Sequence, residues 1–262
     1  MRLSIITAVL ESHEVVRRQI LHYRKMGIPN DKVEIIYVDD GSDVPIKTVS
    51  GASTITILET HDKRPWTQPS ARNMGVRYAR GEYLMLIDLD HIILDDTIDL
   101  LMTTDCDLVR FRRKAGVLDE HGDFTRSRSV LRHYGLRNYY LKKQYLPPHG
   151  NTFAIKRSLY MELGGVSQRY CGTGTYPNRE EIPFKRKINP MIENGEINYI
   201  GDENRPTVYM IPNGKYCGDG TDKDYNPFGL FHTLNREGRK TLFKNYRDRE
   251  PQPDNPFAAQ AT

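Results

Sequence analysis

The sequence predicts an α/β protein built on a mainly parallel sheet with helices on both faces. Three observations carry that expectation. Across the first hundred residues, apolar runs of strand length alternate with amphipathic runs of helix length, the order that builds a doubly covered parallel sheet. The strand-like runs finish on or near polar residues, Thr7, Asp40, Asp88 and Asp90, where open α/β sheets place their ligands. And 262 residues, 38% of them hydrophobic, suffice to bury a sizeable core, as one large domain or two small ones.

Taken in order, LSIITAV (3–9) is the first strand. Ser12 is placed to cap a following helix whose Val16, Ile20 and Tyr23 share one face, with Gly27 as its stop. VEIIYV (33–38) is the second strand and runs into Asp39-Asp40-Gly41-Ser42; STITILE (53–59) is the third. Pro69 suits the first turn of a helix reaching Ala79, with Gly81 as terminator. GEYLMLIDLDH (81–91) contains a strand over 83–87, and Asp96-Thr97 opens a short helix.

Beyond about residue 106 the alternation changes. CDLVRFRRK is strand-like, and RSRSVLRHYGLRNYYLKKQY (126–145) is basic and rich in tyrosine, a charged helical face with tyrosines packed beneath. NTFAIKRSLYMELGG (151–165) reads as a strand leading into a helix that stops at Gly164-Gly165. A Gly- and Pro-rich loop (170–183) follows, and TVYMI (207–211) is another strand. From about Asp248 the chain is polar and proline-rich, the composition of a flexible tail. The expected organisation is 1–105 and 106–247 as two halves of one domain, with 248–262 as the tail.

The formal charge of +4 nearly balances acids against bases, which argues against a general nucleic-acid binder. Cys106, Cys171 and Cys217 are too widely spaced for a zinc motif or a disulfide framework. They fit a reducing, cytoplasmic setting. The N-terminal apolar run is too short for a membrane span. The expectation is a soluble chain without a transmembrane segment, free to associate peripherally with a membrane.

Asp88 and Asp90 are separated by one residue, and a strand's period of two turns their side chains to the same side. Two carboxylates held together repel unless a cation joins them. Oxygen ligands of this kind suit Mg²⁺ or Mn²⁺ bridging to phosphates; the plain alternative is a pair of solvated loop acids. Arg72, expected in the first turn of its helix, adds a guanidinium at an anion-favouring helix end. Asp40 and Gly41 offer an acceptor and a close backbone approach at a second strand end.

Together SIITAV, VEIIYVDDGSD and SARNMGVRYARGEYLMLIDLD resemble the nucleotide-binding half of family 2 glycosyltransferases, which have the GT-A fold. That resemblance implies that Asp40 binds the base with Thr7 and Ala8 beside it, and that Arg72 lies near the nucleotide. It further implies that Asp88 and Asp90 form the Asp-x-Asp motif, Asp90 as direct metal ligand and Asp88 toward ribose or metal-bound water. Ala8-Val9-Leu10-Glu11 departs from the family's usual proline and Tyr-Asn after the first strand, and His91 stands where many relatives have a third acid.

In the second half, Glu180-Glu181 takes the place of the family's Glu-Asp pair after a longer loop. The resemblance implies Glu181 as general base on an acceptor hydroxyl, with Glu180 as the alternative. It also suggests His232 as a further metal ligand, whereas His149, in LPPHGN, reads as a loop residue. The function implied is transfer of a sugar, by inversion, from a nucleotide-diphosphate sugar, UDP-sugar first, to a glycan or other hydroxyl acceptor, with Mn²⁺ or Mg²⁺.

Competing readings are an inactive nucleotide-sugar or glycan-binding module and a haloacid-dehalogenase-type phosphatase. LIDLDHIIL (86–94) resembles the phosphatase's first motif, but His91-Ile92 replace the expected Gly-Thr, and three strands precede it.

Overall fold

The structure is a computed structural model; it describes residues 1–29, 31–47, 54–64, 67–147, 149–169, 171, 181–201, 205–213, 216–218 and 228. Within these, twelve strands and seven helices follow in chain order. The first half contains β1 (Leu3–Val9), α1 (His13–Lys25), β2 (Val33–Asp39), β3 (Ile55–Glu59), α2 (Gln68–Tyr78), β4 (Tyr83–Leu86), β5 (His91–Ile92) and α3 (Asp95–Thr103). The second contains β6 (Leu108–Arg110), β7 (Arg112–Ala115), β8 (Val117–Leu118), β9 (Phe124–Thr125), α4 (Arg128–His133) and α5 (Asn138–Lys142). It continues with β10 (Phe153–Lys156), α6 (Arg157–Glu162), α7 (Glu181–Glu193), β11 (Tyr199–Ile200) and β12 (Thr207–Met210).

Seven strands make the main sheet, in the order β11-β6-β10-β4-β1-β2-β3. β4, β1, β2 and β3 are mutually parallel, while β10 runs antiparallel between β4 and β6. Strand alternation sorts the core into two layers. Leu3, Ile5 and Val9 of β1, with Ile35 and Tyr37 of β2, pack against Val16, Ile20 and Tyr23 of α1 and Ile98 and Leu101 of α3. Their neighbours Ile6, Ala8, Ile36 and Val38 face Ala71 and Val76 of α2, Tyr160 of α6 and Phe184 of α7. The expected doubly covered, mainly parallel sheet is present. Gly75 lets α2 approach closely, since a Cβ there would lie 2.5 Å from Ile6 Cγ2.

Several local expectations are adjusted. Ser12 precedes α1, but its hydroxyl donates to Leu10 O at 2.8 Å and does not cap the helix. Arg72 is the fifth residue of α2 and so lies just beyond its first turn. The strand-like CDLVRFRRK breaks at Phe111 into β6 and β7, which belong to different sheets. β7 joins a three-stranded sheet, β5-β12-β7, which with Leu131 and Leu146 forms a third core cluster. The basic segment 126–145 holds two short helices, α4 and α5. Cys106, Cys171 and Cys217 are free thiols. Among the described residues no helix is long and apolar enough to cross a membrane.

Candidate functional site

β4 ends at Leu86, so Asp88 and Asp90 lie beyond the strand, and strand alternation is not what brings them together. A tight turn does so, closed by His91 N–H donating to Asp88 O at 3.0 Å. The turn is held from both sheets and from α1. Ile87 N–H donates to Ile6 O of β1, and Ile211 N–H donates to Asp90 O at 2.7 Å. From α1, the buried Gln19 amide donates to Leu89 O (2.8 Å) and His91 O (3.0 Å), and Tyr37 Oη donates to its oxygen. One turn along the same helix, His22 Nε2 lies 3.0 Å from Ile93 O. The backbone of the turn is therefore fixed before any ligand arrives.

The side chains are fixed as well. Arg72, 1% exposed, puts one guanidinium nitrogen on Asp88 Oδ1 and donates another to Asn151 O at 3.0 Å. His149 Nδ1 is 2.9 Å from Asp88 Oδ2. Burial opposes the Asp88 charge, but the Arg72 guanidinium and the His149 hydrogen bond outweigh it and hold the pKa below the usual carboxylate range. Asp90 is 22% exposed, and its Oδ2 accepts from Asn213 Nδ2 at 3.1 Å. Burial again works against its charge, while His91, His149 and Asn213 keep it well below the usual carboxylate range. Burial disfavours a charged His149 ring, yet Asp88 and Asp90 reverse this and raise its pKa. The repulsion between the two aspartates is thus met in part by cations of the chain itself.

Asp88, Asp90 and His91 offer ligand atoms within 4.8 Å of one another. The imidazole of His91 is fully buried. Its Nδ1 lies 2.8 Å from Asp90 Oδ1, near enough for an ion pair but out of line for a hydrogen bond, and neither ring nitrogen has a hydrogen-bond partner. Two hard carboxylates beside a buried imidazole whose Nε2 lacks a hydrogen-bond partner suit Mg²⁺ or Mn²⁺ in donor chemistry, and each carboxylate oxygen retains lone pairs beyond those its partners use.

At the neighbouring strand end, Asp40 is 2% exposed, accepts from Thr67 Oγ1 at 2.7 Å and donates its N–H to Val9 O. Asp39 is a turn-builder, its carboxylate accepting from Ser42 N–H (2.8 Å) and Ile46 N–H (2.9 Å). Gly41, at φ 78°, passes so close to Asp62 that a Cβ would meet its carbonyl at 2.1 Å. Glu11, in the left-handed region at φ 52°, ties the loop after β1 to this one by accepting from Asp43 N–H. Thr7 and Ala8 are buried within β1, which runs on to Val9, so Thr7 lies short of the strand end.

The turn after β4 thus gathers Asp88, Asp90 and Arg72, and adds His91, His149, Asn213 and Gln19. Of these additions, only His91 shows a sequence signal, its adjacency to the acids. His149 is in a loop as expected, but that loop delivers its ring to Asp88 from 61 positions away in sequence. Glu181 is the first residue of α7; its side chain, Glu180, His232 and the tail 248–262 lie outside the described residues.

A pocket of about 290 Å³ opens beside His149, lined by Phe111, by the stacked rings of Phe153 and Phe184, and by Lys185; Phe184 and Lys185 belong to α7, one turn beyond Glu181.

The glycosyl transferase family 2 model matches residues 4–164. Glycosyltransferase GlyG of Streptococcus pneumoniae serotype 4 is 28% identical over 104 residues, 38% of this chain and 33% of GlyG. Among solved structures, S. aureus TarS 1–349 in complex with UDP superposes with a TM-score of 0.53 at 14% identity, covering 81% of this chain and 61% of that one. The same TarS fragment with UDP-GlcNAc gives 0.51 at 13% identity, covering 82% and 60%. The chain therefore spans about a third of GlyG and three-fifths of the TarS fragment. The TarS likeness bears on fold, which is of the GT-A type. With the family model covering well over half of its length, this chain belongs to glycosyl transferase family 2.

Proposed function

We propose that this chain is a metal-dependent, inverting glycosyltransferase that moves a sugar from a nucleotide-diphosphate sugar to a hydroxyl acceptor on a glycan or other molecule. The observation that carries the reading is the turn at Asp88–His91, which holds two carboxylates kept ionised by their neighbours beside a buried imidazole whose Nε2 has no hydrogen-bond partner, at the carboxyl edge of a parallel sheet. UDP is the first nucleotide to try, since the TarS structures of similar fold contain UDP and UDP-GlcNAc.

In this reading Asp40, with Thr7 and Ala8 nearby, recognises the base. Asp90 and His91 would hold Mn²⁺ or Mg²⁺, with Asp88 alongside and His232 as a further ligand. The ion, when bound, supplies positive charge opposite the departing diphosphate. Arg72 orients Asp88 and keeps it ionised, so that Asp88 can accept from ribose or from a water on the ion. The aromatic pocket beside His149 receives the reacting sugars. Glu181, at the start of α7, takes the proton from the acceptor hydroxyl as its oxygen attacks the anomeric carbon and the bond to the diphosphate breaks; Glu180 is the alternative base. One displacement inverts the configuration, and no covalent enzyme adduct is needed.

Calorimetric titration of UDP and GDP with and without Mn²⁺, followed by a screen of nucleotide sugars for metal-dependent turnover, tests this. Asp90→Ala is expected to lose the metal-dependent part of nucleotide binding. Glu181→Gln is expected to bind donor normally and lose transfer by on the order of 10²–10⁴. Normal turnover in the glutamine variant removes Glu181 as base, and metal-independent binding in the wild type removes the metal from the reading.

A further inference from the structure

The second half of the chain carries a cavity of about 290 Å³ whose charged lining residues are all cationic: Lys114, Arg126, Arg128, Lys142 and Lys143. The chain as a whole is only +4, so positive charge is concentrated here. Among the described residues none of these side chains forms a salt bridge. Several rest instead on tyrosine faces: Lys114 Nζ is 5.0 Å from the Tyr145 ring centre, Lys143 Nζ 4.8 Å from Tyr139, and the Arg126 guanidinium 5.4 Å from Tyr209. A ring face holds a cation in position without neutralising it. Like charges around one concavity repel, and an anion placed among them relieves that repulsion.

The cavity is coupled to the candidate site by two routes. In the three-stranded sheet, Met210 of β12 pairs with His91 on one side and Ala115 on the other. Ala115, in the cavity wall, is therefore two strand spacings, about 10 Å, from His91. The second route is the chain segment leaving the cavity. Leu146 N–H donates to Arg113 O at 2.7 Å, and the buried Arg113 guanidinium donates to Pro147 O. Two residues later the same segment sets His149 on Asp88.

We infer that this cavity binds the anionic groups, phosphate or carboxylate, of a multiply charged acceptor chain and so holds that chain across the transfer site. The identification of the ligand as acceptor rests on the transferase reading above; the anion site itself does not. A flat membrane surface fits less well, because the charges line a hollow and, of the large exposed apolar side chains among the described residues, only Tyr139 is in this segment.

The test uses the full chain and three probes: inorganic polyphosphate, an oligogalacturonate and neutral dextran. Arg128, Lys142 and Lys143 are exposed, so the combined R128E/K142E/K143E variant is expected to fold normally, as circular dichroism will check. Wild type should bind at least one polyanion, more weakly as salt rises, and should ignore dextran; the better-bound polyanion tells phosphate from carboxylate. The variant should lose affinity by at least about tenfold while binding UDP as the wild type does. Unchanged polyanion affinity in a folded variant overturns the inference. So does binding confined to anionic phosphatidylglycerol vesicles or to a single-stranded oligonucleotide. If the donor reading alone fails, UDP binding is absent while the polyanion still binds wild type and not the variant.

Discussion

At the end of β2, Asp39 accepts hydrogen bonds from the backbone of Ser42 and Ile46. Past the end of β4, the carboxylates of Asp88 and Asp90 are engaged by side chains: Arg72, His149, His91 and Asn213. Both places read in sequence as acids finishing a strand. Their partners separate them. A carboxylate given to backbone N–H groups builds the turn it sits in. One held by side chains drawn from distant parts of the fold is oriented toward something else, at the expense of burying charge that several groups must then balance.

That contrast can be broken at specific positions. The largest effect is expected from Arg72→Met, which strips a buried carboxylate of its principal counter-ion. Urea unfolding should show a loss of about 3–5 kcal/mol, and a loss below ~1 kcal/mol would mean that His149 alone suffices for Asp88. Asp39→Ala comes next. It leaves two backbone donors unmatched and should cost about 1–3 kcal/mol in stability, while transfer per folded molecule stays near wild type. Against Asp90→Ala, with its expected loss of metal-dependent binding, this gives opposite signatures, and an inactive but stable Asp39→Ala protein would erase the distinction between the two strand ends.

The smallest effect concerns the clamp on the turn. Burial lowers the pKa of His22 below its ordinary value of 6.5, despite its backbone hydrogen bond to Ile93. The unfolded chain then takes up a proton that the folded one resists. Stability from this residue is complete above pH 6.5 and declines as pH falls below it. His22→Gln should flatten this part of the profile when thermal unfolding is followed between pH 7.5 and 5.5 (roughly the range over which a histidine titrates).

Much of the architecture was legible because it is written in local periodicity. The β1 to β4 segments and the helices between them follow from apolar runs, Pro69 and Gly27, and their parallel pairing follows from the alternation. The antiparallel insertion of β10 between β4 and β6 was not, since no local pattern specifies which edge a later strand joins. Asp88 and Asp90 could be picked out by spacing, and Arg72 by its place near a helix start. Gln19, His149 and Asn213 could not. Each reaches the turn from 70, 61 or 123 positions away, and an isolated Gln, His or Asn looks the same in sequence whether it faces solvent or a carbonyl. The structure also gives Arg72 a partner that its sequence position does not specify: it stands against Asp88, and the two aspartates tolerate each other partly without any added ion.

The hydrogen bond from Ile211 N–H to Asp90 O, seconded by Asn213 on the Asp90 carboxylate, joins the end of β12 in the smaller sheet to the very residue on which the proposed chemistry depends. Asp90 therefore sits at a seam, and whatever shifts β12 tugs on its backbone. A crowded acceptor region that leaned on that strand could retune the donor site without touching it, so substitutions far out in the smaller sheet belong among those to watch when catalytic efficiency drifts.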